Sequence, residues 1–527
     1  MPARWRLRYG KYCRHFRQDK EIWAYLFLTE QAIFSIFLPD CASFAGSGGS
    51  AELQVCQPMI DQNKPTTVNY WATLTLSALA IRLIVAFILF GSFGQNSDAF
   101  YYADQARRLL KGEAWDQPFF WPVGRSLALL PFFWLFGTSE AVVKANSVAI
   151  DVGCVLLAAM LAHQVLRKSA AARLAGWLAV FYPPMVLCSG WSFPSNFTML
   201  GLLGSASLGL LAYQQHNRWF LSLTAWFASA CCLGLAMLTR PSATAILLLA
   251  ICAAISCLLI HLMMPTLASK WKVPSAKTII ISGVGFFCGI ACLTGPILRH
   301  HVSLGAGWVL STNNERNFFL GNNPYTPLYK TWHWGQHPPP ESLKAYFSSF
   351  QREPNPRQAM MHEALRYIAS RPDLFLLRTV NRIRAYWGFD YLVTANVQTI
   401  KPTLGKPLLL MLLGIEAGGY CLLMFFVISG LFLFSKSMEA KHVALLIALV
   451  LAYMLPYTIA FANGKYHFPV MGFLFPFAAI GVSEAWQRRN GPWAELLRNR
   501  WFWIAITVFI FIQLEYAYQV SMYYFKR

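Results

Sequence analysis

The chain has 527 residues, of which 56% are hydrophobic and only 13% charged. Soluble domains carry about 25% charged residues, and many apolar runs here reach the roughly 20 residues that a helix needs to cross hydrocarbon, so a string of soluble domains is excluded. The formal net charge of +21 would suit nucleic acid, but the basic residues collect in short stretches between apolar runs, which is a topology signal helped by anionic lipid; no nucleic-acid partner is expected.

Residues 1–70 carry Arg4, Arg6, Arg8, Lys11, Arg14 and Arg17 ahead of any span and read as a cytoplasmic or interfacial extension. Its apolar stretch 22–38 is interrupted by Glu30 and Gln31. It is short for a span, has no clear small-residue cleavage site, and is expected to lie along the membrane surface. The Gly/Ser stretch 46–50 reads as a flexible linker.

Eleven spans follow, near 71–93, 141–166, 171–189, 195–214, 219–239, 241–262, 278–298, 407–434, 442–462, 466–486 and 500–522. With a cytoplasmic N-terminus, odd-numbered spans run outward. The clusters Arg167/Lys168/Arg173, Lys270/Lys272/Lys277, Lys436/Lys441 and Arg488/Arg489/Arg498/Arg500 then all face the cytoplasm. The run 121–136 contains Pro122 and Pro131. Counting it as a span would put Arg167 and Lys168 outside, so it reads as a re-entrant or juxtamembrane helix. The expected fold is an all-α integral membrane protein with about 11 transmembrane helices. Its parts are the extension 1–70, a membrane module 71–298 with a first outer loop at 94–140, a small and largely helical outer (periplasmic) domain 299–406, and C-terminal spans 407–527.

In the first outer loop, Asp104 to Lys111 reads as a short amphipathic helix ended by Gly112. In the second, a loop rich in Asn, Tyr and Pro precedes helices near 341–350, 355–370 and 373–388; its length points to function rather than mere connection. Seven spans before this segment and four after it show no paired halves of the kind common in transporters. The twelve cysteines are scattered, mostly in apolar runs, with no CxxC pair, and read as small buried hydrophobes.

The chemistry-bearing candidates lie at outer span ends. Asp98, just past the first span, could act as a general base toward an acceptor hydroxyl or amine, or simply cap the following helix near Tyr101. Arg240, in Leu238-Thr239-Arg240-Pro241, suits a phosphate, whose oxygens its planar fork can grip; an interfacial arginine can also just snorkel to headgroups. Lys465 and His467, in Lys465-Tyr466-His467-Phe468-Pro469, offer a second cation and a hydrogen-bond donor. The amide-rich stretch through Asn322 and Asn323 suits sugar hydroxyls, though Asn and Gly are also turn formers. Lys144 and Asp151 fall in or near the second span, where ionisable groups are functional hypotheses by default; two turns apart, they are not expected to touch.

Taken in order, these residues resemble the GT-C superfamily of polytopic glycosyltransferases, most nearly the bacterial branch related to protein O-mannosyltransferases and lipid A aminoarabinose transferases. The family pattern D-x-x-x-Y-x-x-x-A-x-x-L-x-x-G is met by Asp98, Tyr102, Ala106, Leu109 and Gly112. Trp121-Pro122-Val123-Gly124-Arg125, Leu135-Phe136-Gly137, Tyr182-Pro183-Pro184, Leu238 to Pro241, Phe319 to Pro324 and Lys465 to Pro469 match further family elements. Three departures stand out: Ala99 replaces a second acid, Ser195-Asn196 stands where many relatives have a glutamate, and Arg125 adds a charge where a tyrosine is usual.

The resemblance implies a transferase that moves a sugar from a polyprenyl-phosphate donor to a lipid, glycan or protein acceptor on the outer face, with inversion and with membrane lipids around it. Asp98 would be the base. Arg240, Arg125 and Lys465 would hold the donor phosphate, and Tyr102, Asn196, Asn322, Asn323, Tyr466 and His467 would contact substrate. Some relatives use a divalent metal; the single local carboxylate argues against one here, and no cofactor is expected. The competing readings are a transporter or flippase of lipid-linked sugars, which would tolerate loss of Asp98, and a non-catalytic membrane scaffold.

Overall fold

A proline pair and a 3-10 turn break two of the apolar runs, while helices with a single internal proline stay whole. The computed structural model describes residues 64–90, 98–270, 273–328, 341–434, 437–487 and 492–524; the expected surface segment at 22–38 lies outside them. Among the described residues every regular element is helical, and from Pro65 onward they belong to one compact unit.

Nine helices among the described residues are long and apolar enough to cross a membrane. In chain order the elements begin with α1 (Lys64–Leu83, continued by a π turn, Ile84–Leu89), α2 (Asp98–Leu110), α3 (Gly124–Phe136) and α4 (Glu140–Val165). Next come α5 (Ser169–Phe181), α6 (Pro183–Cys188), α7 (Pro194–Gln214), α8 (Trp219–Thr239), α9 (Thr244–Met263), α10 (Pro265–Lys270) and α11 (Ala276–Ser303). The segment before the last spans holds α12 (Asn314–Gly321), α13 (Glu341–Gln351), α14 (Pro356–Ser370), α15 (Pro372–Tyr386) and α16 (Leu392–Ile400). The chain ends with α17 (Lys406–Leu433), α18 (Ala440–Ile459), α19 (Phe475–Gln487), α20 (Pro492–Arg498) and α21 (Arg500–Tyr524). The long apolar helices are α1, α4, α7, α8, α9, α11, α17, α18 and α21.

Two of the eleven expected spans are broken. The run 171–189 divides into α5 and α6 at Tyr182-Pro183-Pro184, because neither proline has an N–H to return to the carbonyl four residues earlier. The run 466–486 opens as a 3-10 turn, Phe468–Phe473, before α19. Both broken runs are core pieces: Phe473, Phe475 and Phe477 are buried, and α19 packs on α17 and α5. The short helix α3, with Pro131 inside it, packs on α2 and on the end of α8.

Small residues let the backbones close. A Cβ on Gly201 would stand 2.6 Å from the Cys232 carbonyl, joining α7 to α8, and one on Gly234 would stand 2.9 Å from Leu293, joining α8 to α11. Such contacts carry helix association in lipid, where burial of apolar side chains gives no drive of its own. Between α4 and α5, the Arg167 N–H donates to the Ser437 carbonyl at 3.0 Å and Lys168 pairs with Glu484 of α19 at 3.0 Å.

Helices α13, α14 and α15 fall where the sequence places them. Helices α12, α13 and α14 enclose a small apolar centre of Phe319, Leu320, Phe347, Met360 and Ala364. The Tyr346 hydroxyl and the Arg366 guanidinium both donate to Glu363; the Arg366 bond chiefly holds that carboxyl below its ordinary range.

Gly430 of α17 lies directly on the Phe477 carbonyl of α19, and Gly481 of α19 on the Phe426 carbonyl of α17. Gly430→Ala should therefore overpack this contact and cost about 1–3 kcal/mol. A lower thermal-unfolding midpoint in detergent would register it; an unchanged midpoint would mean the two helices separate freely.

Candidate active site

The residues that the sequence marks out sit at helix ends, and alternating helix direction gathers many of those ends at one end of the bundle. A Cβ on Gly124, at the start of α3, would lie 2.5 Å from Thr239 Oγ1 and 2.7 Å from the Leu238 carbonyl carbon. Only glycine lets the Trp121-Pro122-Val123-Gly124-Arg125 turn close onto Leu238-Thr239-Arg240-Pro241.

Arg240 occupies the break between α8 and α9. Its backbone is extended, with φ −138° and ψ 101°, as expected for a residue before proline. This turns its side chain out of both helices. Nη2 donates to Ser195 Oγ at 3.4 Å, at the start of α7. The guanidinium lies 5.4 Å from the ring centroid of Tyr466, on which Tyr457 stacks at 4.6 Å. The Tyr457 hydroxyl is 2.7 Å from Ser242 Oγ and 3.1 Å from the Tyr453 hydroxyl. Burial works against the charge, but Tyr457, Tyr102, Tyr466 and Tyr453 lie near it, and the guanidinium pKa stays above its ordinary value. Its Nε is buried with no hydrogen-bond partner. Among the described residues no carboxylate lies within the 4.0 Å of an ion pair with Arg240.

Lys465 flanks the same ring, with Nζ 5.4 Å from the Tyr466 centroid. Tyr102 is one helical turn beyond Asp98 on α2, buried, and its carbonyl accepts from Ser126 at 3.0 Å. Asp98 is the first residue of α2; its side chain lies outside the described residues. Tyr101 is half exposed and tilted against the partly exposed Trp121, with centroids 6.2 Å apart. Arg240, Tyr466, Lys465 and Tyr102 thus come together.

The other expected contacts are turned inward. Arg125 is 1% exposed and donates to Asn146 Oδ1 at 2.5 Å and Ser147 Oγ at 3.0 Å on α4. It bolts α3 to α4 and faces no open surface, so a direct phosphate contact is not what its geometry offers. Asn196 is buried and donates to Asp151 Oδ1 at 2.5 Å; its amide serves a carboxylate within the bundle rather than a sugar.

Asn322 and Asn323 are also spent on the protein. Asn322 donates to the carbonyls of Phe318 and Ile459, both at 3.0 Å, and accepts from Arg382 at 3.1 Å. Asn323 donates to Phe319 at 2.9 Å and Leu320 at 3.3 Å. Arg382 also donates to the carbonyls of Gly321 and Ile459, tying the end of α12 to the end of α18. Burial, with Arg378 nearby, pulls its pKa down to about 9, which still leaves it charged at neutral pH.

His467 is fully buried. Its Nδ1 donates to the Tyr386 carbonyl at 2.7 Å, its Nε2 lies 3.2 Å from Asp390 Oδ2, and its ring stacks on Tyr420 at 4.6 Å. Nε2 and the Asp390 carboxylate thus lie within hydrogen-bond reach of each other. The pair fixes the turn that presents Lys465 and Tyr466. Sequence reading passed over Asp390, Tyr453 and Tyr457, because aromatic and acidic residues distant in the chain carry no local signal of convergence.

Solved structures supply the comparison. Over 80% of this chain and 50% of its own, the apo oligosaccharyltransferase of Archaeoglobus fulgidus is similar at 13% identity, with a TM-score of 0.45. The archaeal oligosaccharyltransferase AglB of that organism, in complex with an inhibitory peptide and a dolichol-phosphate, matches 86% of this chain and 56% of its own at 12% identity and a TM-score of 0.45. ArnT from Cupriavidus metallidurans bound to undecaprenyl phosphate matches 80% of this chain and 78% of its own at 12% identity and a TM-score of 0.34. The chain spans about half the length of the archaeal oligosaccharyltransferases it matches. No protein-family model and no curated protein matches it.

The buried pair makes its own prediction. His467→Ala or Asp390→Asn should each cost about 3–5 kcal/mol, and the double variant much less than their sum. Unfolding midpoints of the three purified variants check this; strictly additive losses would mean that the two residues act apart.

Proposed function

We propose that the chain is a membrane glycosyltransferase of GT-C type, moving a sugar from a polyprenyl-phosphate donor to a lipid, glycan or protein acceptor at the outer face of a bacterial inner membrane. The observation that carries this reading is Arg240. It is a cation set at a break between two spans, framed by tyrosine rings, with Nε unspent and no ion-pair partner among the described residues. A phosphate brought by a lipid would supply the missing anion, and the guanidinium fork suits two of its oxygens. The neighbours solved with dolichol-phosphate and undecaprenyl phosphate bind the class of lipid that this site suits.

The reaction is a single displacement. Asp98 takes the proton from an acceptor hydroxyl or amine as that atom bonds to the anomeric carbon. The bond from that carbon to the phosphate oxygen breaks on the opposite face, inverting the centre. The departing phosphate keeps the electron pair, and Arg240 offsets its growing charge, helped by Lys465 across the Tyr466 ring. Arg125, held behind this site by α4, adds positive potential without contact. Fixed cations in a low-dielectric setting stabilise such charge more than they would in water.

Among the described residues no three His, Cys, Asp or Glu side chains gather as metal ligands, and the proposed step needs no metal. Transfer should persist in EDTA.

Asp98→Asn should lower transfer by about 100-fold or more while membrane insertion and thermal stability hold. The readout is mass spectrometry of lipids and surface glycans from cells expressing the wild type, the variant or neither. Near-normal product from the variant would remove Asp98 as base. Movement of unmodified lipid-linked sugar in both would point to a transporter instead.

A further inference from the structure

A second buried charge centre lies inside the bundle behind Arg240. Arg82 of α1 and Asp151 of α4 are both 0% exposed and 3.9 Å apart. Arg82 has a specific task. Pro183 and Pro184 have no N–H, so the α5 carbonyls that an unbroken helix would satisfy from those positions, Ala179 and Val180, are left without donors. The Arg82 guanidinium donates to both, at 3.2 Å each. In hydrocarbon these two carbonyls would otherwise each cost several kcal/mol. Asp151, 3.9 Å away, balances the charge that this donor brings into the bundle.

Asp151 then reaches toward the site. Its Oδ1 accepts from Asn196 Nδ2 at 2.5 Å, and the Asn196 carbonyl accepts from Cys154 Sγ at 3.2 Å. Asn196 lies in the first turn of α7, adjacent to Ser195, whose hydroxyl accepts from Arg240 at 3.4 Å. Arg82, Asp151, Asn196, Ser195 and Arg240 thus form a continuous polar path across α1, α4 and α7 to the break before α9.

We infer that Asp151 is a positioning residue for the phosphate site, holding the first turn of α7 so that Ser195 orients the Arg240 guanidinium, with Arg82 as its counter-charge. This rests on the reading of Arg240 as the phosphate-binding group. Asp151 touches no substrate; it acts through Asn196 and Ser195.

The test measures binding of undecaprenyl phosphate to the full chain in nanodiscs, for the wild type, Arg240→Ala, Arg240→Lys, Asp151→Asn, Asn196→Ala and the double variant Asp151→Asn/Arg240→Lys. The expected result is weakening by about tenfold for Asp151→Asn and for Asn196→Ala, and less than about twofold further loss when Asp151→Asn is added to Arg240→Lys, which lacks the fork that the path orients. General damage to the fold would weaken both backgrounds alike and would overturn the inference. Wild-type affinity in Asp151→Asn, with binding lost in Arg240→Ala, would also overturn it while leaving the phosphate reading intact. Equal binding by the wild type and Arg240→Ala would remove the phosphate reading and this inference with it. Should Asp151→Asn fail to fold, Asn196→Ala in the wild-type and Arg240→Lys backgrounds decides the matter alone, since it leaves the Arg82–Asp151 pair in place.

Discussion

A helix that breaks inside hydrocarbon exposes carbonyls that water cannot reach, and the protein has to satisfy them itself. At Tyr182-Pro183-Pro184 the chain does so with Arg82, which donates to Ala179 and Val180. The guanidinium brings a charge into the bundle, and Asp151 balances it. The carboxylate retains acceptor capacity that Asn196 fills, which ties down the start of α7. One proline pair thus accounts for an arginine, an aspartate and an asparagine on three helices. Buried ion pairs add little net stability against a well-packed apolar alternative, so their worth here lies in fixing one arrangement of helix ends.

The same economy of charge frames the candidate site. Arg125 and Arg82 are buried and Arg240 is partly so, while Asp151 is the buried carboxylate described among them. Arg125 is held by neutral acceptors, Asn146 and Ser147. Arg240 is held by one long hydrogen bond and aromatic rings. On the proposed reading, these fixed cations suit an anion that a lipid brings to Arg240. In the proposed transfer, a frame fixed in this way would need little reorganisation as charge moves onto the leaving phosphate.

Much of the architecture was legible in the sequence because hydropathy and local turn chemistry are strong signals. Basic clusters marked connections, and the helices near 341–350, 355–370 and 373–388 appear as Glu341–Gln351, Pro356–Ser370 and Pro372–Tyr386. The spans at 171–189 and 466–486 were read whole because apolar composition outweighs a single proline pair or a 3-10 turn in a hydropathy window. The site was less legible. Arg240 before Pro241 could be read, since that dipeptide sets its own backbone. Asn322, Asn323, Asn196 and His467 look like substrate contacts in the sequence, but Asn322, Asn196 and His467 meet backbone or carboxylate partners far away in the chain, and Asn323 bonds the carbonyls of its own turn. Lys144 turned to the Phe90 carbonyl, at 3.0 Å, and Asp151 to Arg82, a pairing across 69 positions that no local pattern encodes.

The most direct test of the account is a density map of the chain in nanodiscs with undecaprenyl phosphate. The account predicts phosphate density within about 3 Å of the Arg240 guanidinium, beside the Tyr466 ring and facing the start of α2. Phosphate density at another helix end, with Arg240 still turned to Ser195 and Tyr466 alone, would contradict it.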